Sequence, residues 1–170
     1  MAAAAAGRIL RTASAIVSKP SATSHVLRID GYSHLAGALP CGEYADSCAF
    51  DDAGGHTWRL LLYPNGYSDE HEGHVGVFLQ LTGGRGRVRA RPWFSLLDSA
   101  GKPGPSRDAG AHAFSCHGDP WGFMDFISRE ELEGSEYLRG DCVAIQCDLA
   151  LTTVRKCHDD PVLIAQNIVD

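Results

Sequence analysis

From His74 to Leu81 the apolar residues Val75, Val77, Leu79 and Leu81 fall on every second position, the period of a strand with one buried face. The same period puts Val143, Ile145, Cys147 and Leu149 on one side of a segment at 142–149. Further strand patterns fall at 25–29, 57–63, 87–97 and 112–116. Turn chemistry separates them: Asp30 and Gly31 close the first, Pro64, Asn65 and Gly66 follow 57–63, and Gly83, Gly84 and Gly86 lead into 87–97. Short strands at this spacing predict an all-β, antiparallel sandwich. One short helix interrupts it, where Ser128 can cap and Glu131 can complete a capping box ahead of Leu132.

Between the last two strand patterns, Trp121, Gly122 and Phe123 stand in a stretch that reads as a loop opening into a short amphipathic turn. Glycine lets a partner backbone come close, and Trp and Phe offer large contact area with few rotatable bonds. The triplet therefore suits a grip on an extended peptide. The same residues equally suit plugging the end of a core.

The 170 residues favour one domain with enough apolar content for a core, and the formal charge of −6 argues against a nucleic-acid binder. Six cysteines, at 41, 48, 116, 142, 147 and 157, contain no C-x-x-C pair and no zinc-finger spacing, and no secretory signal accompanies them. Reduced thiols in a cytoplasmic or nuclear setting are expected. Cys142 and Cys147 differ in parity along their strand, so they should face opposite ways. Residues 1–20 are rich in Ala and Ser, basic and without an acid, which imitates a transit peptide and also fits a disordered leader. No apolar run approaches the ~20 residues that span a bilayer, and no membrane association is expected.

Enzyme signatures are weak. Residues 31–35 begin like a nucleophile elbow but lack its second glycine and the expected strand-to-helix setting. His71, Glu72, Gly73 and His74 resemble a metalloprotease motif one residue short, in what reads as a polar loop. No catalytic residue, metal or cofactor is assigned. Arg85, Arg87, Arg89 and Arg91 would line one strand face, able to bind acidic or phosphorylated segments or simply to form a solvated surface that discourages edge pairing. Pro92 falls opposite them and predicts an edge or a bulge, because it cannot donate to a ladder.

The ordered stretches IDGYS (29–33), GEY (42–44), HTWRLLLYPNG (56–66), VRARPWFSLLD (88–98), WGF (121–123) and LEGSEYLRGDCVAIQC (132–147) resemble the meprin and TRAF homology (MATH) domain over residues 24–154. The likeness is to the MATH-BTB, speckle-type POZ protein-like substrate adaptors. It implies an eight-stranded antiparallel β-sandwich at 21–154, followed by a C-terminal tail at 155–170. It also implies a shallow groove for short degron-like peptides, apolar and polar positions followed by Ser and Ser/Thr, held beside a strand by backbone hydrogen bonds.

By position, Trp121, Gly122 and Phe123 match the family's groove motif. Phe78 matches a groove tyrosine without its hydroxyl, and Pro92 takes the place of a groove phenylalanine. His112 lies near another groove tyrosine, and Asp119 and Pro120 fall where Lys and Asp are usual. Family adaptors carry a BTB domain that dimerises and engages a cullin ubiquitin ligase, and nothing in 155–170 begins one. The resemblance thus implies a non-enzymatic substrate-selecting module whose partners are short linear motifs. The alternative is a standalone scaffold or decoy, monomeric, with BTB-containing relatives acting in trans.

Overall fold

A computed structural model describes the backbone of residues 11–158 and the side chains of residues 11–154. In chain order its elements are β1 (Ser14–Asp30), α1 (Tyr32–Ala38), β2 (Ala45–Asp46), β3 (Phe50–Asp51), β4 (Thr57–Tyr63), a 3-10 turn at Asp69–His71, β5 (His74–Gly83), β6 (Arg87–Leu97), β7 (Arg107–Asp108), β8 (His112–Ser115), β9 (Trp121–Ser128), α2 (Arg129–Glu133) and β10 (Cys142–His158). Contacts divide the chain into two units. Pro20–Thr152 form the larger, and the smaller contains residues 11–19 and 153–158, where the Thr153 hydroxyl donates to the Lys19 carbonyl at 3.3 Å.

One sheet runs β1-β10-β6-β7, with β8 also on β6; the other runs β2-β4-β5-β9, with β3 also on β4. The expected sandwich is present, with ten strands among the described residues, three of which, β2, β3 and β7, are two-residue pieces. Its core is what the alternation prescribes. Val75, Val77, Leu79 and Leu81 of β5 meet Val143, Ile145, Cys147 and Leu149 of β10, with Trp58, Leu60 and Phe94 fully buried between them. Each such side chain contributes ~1.5–3 kcal/mol by leaving water. Cys147 lies in this core, and its burial pushes the thiol well above its ordinary range, whereas the half-buried Cys142 donates from Sγ to Asp30 at 3.1 Å.

Among the described residues Asp52 is the buried charged one. Its carboxylate accepts from Trp58 Nε1 at 2.8 Å, from the Gly54 amide at 2.7 Å and from His56 Nδ1 at 3.0 Å. Four expectations need correction. The first strand begins at Ser14, inside the stretch read as a leader, and not at His25. A second helix, α1, follows β1, so the strand-to-helix setting thought missing at Gly31 does exist: Gly31 turns there at φ 79° and its amide donates to the Asp141 carbonyl at 3.0 Å. Ser33 is engaged within that turn, its hydroxyl donating to the Asp141 carboxylate at 2.6 Å.

The third correction concerns β6, which is interior to its sheet. Pro92 falls where pairing passes from β8, ending at Ala90 opposite His112, to β7, beginning at Trp93 opposite Asp108. Its missing N–H is tolerated at that break. The fourth is that Trp121–Phe123 start a strand and are not in a loop. The helix start is as expected, with Ser128 Oγ accepting from the Glu131 amide at 3.1 Å.

Candidate functional site

Strand β9 ends the second sheet. It pairs with β5 on one side, and among the described residues its other edge meets no backbone partner from Trp121 to Phe126. Such an edge presents unpaired N–H and C=O groups to any extended chain. At its far end the edge is occupied: Arg107 donates from one nitrogen to the carbonyls of Asp125, at 2.7 Å, and Phe126, at 2.8 Å. The open length is thus Trp121 to Met124.

Gly122 sets how closely β9 approaches β5. A Cβ there would stand 2.1 Å from the Val77 carbonyl oxygen, so no other residue fits without moving the strand. Trp121 and Phe123, opposite Leu79 and Val77, turn toward the other sheet. Trp121 stacks on His112 of β8 and donates from Nε1 to the Ala109 carbonyl at 2.6 Å, yet stays 38% exposed. The Ala109 amide in turn donates to the Pro92 carbonyl at 3.0 Å. Phe123 packs edge-on against Phe94 at 6.1 Å and carries the Arg107 guanidinium 4.1 Å over its ring.

The remaining expected site residues divide. Asp119 is exposed and Pro120 half-buried just before β9, within the same neighbourhood as His112. Burial lowers the His112 pKa from its ordinary value, and the Asp119 charge partly opposes this. Phe78 pairs with Gly122 but points away from the core, into a second cluster with Leu61 and Tyr63. Pro92, expected as groove wall, is fully buried and can act only as backing for the Ala109 turn.

Residues not singled out in the sequence complete the surface. Tyr67 lies 5.2 Å from Phe78 and 5.1 Å from Tyr63, and Tyr44 lies 5.4 Å from Tyr63, making an aromatic face beside Gly122 in which Tyr44 and Tyr67 are exposed over the buried Tyr63 and Phe78. Its signal was the unbroken run Leu60, Leu61, Leu62 and Tyr63, apolar on both faces of a strand. Met124, 40% exposed, adds to the edge. The short metalloprotease-like stretch is divided: His71 Nδ1 meets the Ser68 hydroxyl at 3.0 Å while His74 opens β5, and no metal-holding cluster exists among the described residues.

A family model described as MATH domain matches residues 24–149. The chain is 34% identical over 149 residues to BTB/POZ and MATH domain-containing protein 6 of Arabidopsis thaliana, covering 82% of this chain and 35% of that protein. BTB/POZ and MATH domain-containing protein 3 of the same plant is 30% identical over 141 residues, 78% of this chain and 34% of that one. The chain therefore spans about a third of the length of these curated relatives. Among solved structures, TRAF5 of Notothenia coriiceps is similar with a TM-score of 0.50 at 16% identity, over 78% of this chain and 72% of that one, a likeness of fold.

Proposed function

The chain belongs to the MATH domain family, a protein-interaction fold, and on that premise we propose that it recognises extended peptide segments that pair with the open edge of β9. The observation that carries this reading is the unpaired stretch Trp121 to Met124, bounded at one end by Arg107. A peptide strand added there gains main-chain hydrogen bonds, while its alternate side chains meet different surfaces. One set faces Trp121 and His112; the other faces Phe78, Tyr67 and Met124, because Gly122 has no side chain to block the way. Asp119 biases the entrance toward ligands without excess negative charge.

Phe78 lacks the hydroxyl of a tyrosine, so the position directly over it, opposite Gly122, favours an apolar side chain over Ser. An unpaired hydroxyl held against it costs ~1–3 kcal/mol. The proposed setting is substrate selection for a cullin-RING ubiquitin ligase. Dimerisation and ligase contact would come from a BTB/POZ domain of the kind the relatives' names carry. The test is a peptide array probed with the whole chain and with Trp121→Ala. Retention of a defined set of short peptides by the former and not by the folded variant supports the reading; an unchanged set contradicts it.

A further inference from the structure

On β6 the side chains of Arg87, Arg89 and Arg91 are exposed while Val88, Ala90 and Pro92 between them are buried. Three guanidinium groups thus share the outer face of the first sheet, with Arg85 exposed in the turn just before the strand. Alternate residues on a strand stand ~6.6–6.8 Å apart. The positions opposite them are small: Ser115 faces Arg87 and Ala113 faces Arg89 on β8, and Ala150 faces Arg91 on β10. A shallow groove of about 290 Å³ results, bordered by Arg89, Arg91, Ala111 and Ala150.

Elsewhere among the described residues of the sandwich most arginines are partnered, the isolated, exposed Arg139 apart. Arg28, Arg59, Arg107 and Arg129 each reach a carboxylate, and Arg91 is held by Asp108 while lying 5.3 Å over the Trp93 ring. Arg85, Arg87 and Arg89 have no carboxylate partner among the described residues, in a chain whose formal charge is −6. A face kept basic in an acidic protein, with small neighbours that leave the guanidinium heads open, is complementary to negative charge. An extended chain presents alternate side chains at the same ~7 Å repeat as the arginines, and each planar guanidinium can take a carboxylate through two hydrogen bonds.

We propose that this face of β6 is a second docking surface, taking an extended peptide segment with Asp or Glu at alternate positions. Arg87 and Arg89 bind successive carboxylates, Arg85 extends the run, and Arg91, fixed by Asp108, bounds it. The surface shares no residue with the β9 edge, so one protein can engage an acidic stretch and a groove peptide independently.

The test uses the whole chain and a fluorescein-labelled peptide of alternating Glu and Ser, measured by anisotropy at low and at physiological salt. Wild type should bind with an affinity that falls as salt rises, and Arg87→Gln with Arg89→Gln should weaken binding roughly tenfold or more. Arg28→Gln, which removes one positive charge elsewhere on the first sheet, should leave it unchanged. Thermal melting checks that the double variant, altered at exposed sites, remains folded. Equal binding by the double variant, an equal loss in Arg28→Gln, or no binding by wild type overturns the proposal. Preference for a phosphoserine peptide or a single-stranded oligonucleotide over the Glu peptide overturns the choice of a carboxylate ligand.

Discussion

Trp121 of β9 and His112 of β8 lie face to face, their ring centroids 4.3 Å apart and their planes 7° from parallel, so the open edge of one sheet rests on a titratable ring of the other. Burial lowers the His112 pKa below 6.5, against the opposing charge of Asp119, and burial likewise lowers that of His25, stacked on Phe50 at 4.1 Å. The unfolded chain therefore binds protons more readily in the window between the folded values and 6.5. Stability should fall as pH drops through 6.5 and level off once both rings are protonated in the folded state too. Melting temperatures between about pH 7.5 and 5.5 should show this decline, and His112→Gln should reduce its slope. An identical slope in that variant would contradict the assignment.

Gly122→Ala should separate β9 from β5, since the new Cβ meets the Val77 carbonyl oxygen at 2.1 Å and Phe78 Cα at 2.8 Å. Overpacking of this kind costs about 1–3 kcal/mol, or roughly 2–12 °C in melting temperature for a chain of this size. Gly37→Ala, in α1 with open space around its Cβ, should instead stabilise by about 0.5–1 kcal/mol. Paired melting curves decide both.

Asp52→Ala strips the buried Trp58 Nε1 of its acceptor and the Gly54 and His56 amides of theirs. A loss of about 2–4 kcal/mol is expected, with Asp52→Asn losing less because an acceptor remains. Burial pulls the Asp52 carboxyl pKa upward, but the hydrogen bonds from Trp58, His56 and Gly54 and the His56 charge outweigh it and hold the carboxyl below 3.8. Its contribution is therefore present above 3.8 and lost as pH falls through the lower folded value. Urea titrations of the wild type beside both variants, at neutral pH and near pH 3, measure it.

Trp121→Ala should separate binding from folding. The ring is 38% exposed, against 0% for Trp58, so its loss should cost only ~1–2 kcal/mol of stability where Trp58→Ala costs ~3–5. Affinity for an array-selected peptide should drop roughly 30-fold, equivalent to ~2 kcal/mol. Calorimetric titration beside thermal melting gives both numbers.

The alternation that predicted β5 and β10 is legible because Val75 to Leu81 and Val143 to Leu149 send every second apolar residue into the one core, even though Phe78 is buried on the other face of β5. Trp121–Phe126 escaped the same reading. The ladder slips between Val75 and Val77, leaving Phe123 and Phe126 three apart and both turned inward, which erases the period. Pro92 misled because a proline break inside a sheet resembles an edge until the change of partner from β8 to β7 is seen. The stacking of Trp121 on His112 and the Arg107 clasp join residues from separate strands, which no local pattern reports.

A peptide received along the outer edge of β9 would be read residue by residue in amide hydrogen exchange of the whole chain with an array-selected peptide. Outward-facing amides between Trp121 and Met124 should slow on binding, with β6 unchanged. Protection confined to β6, or none on β9 despite binding, would rule out pairing at this edge.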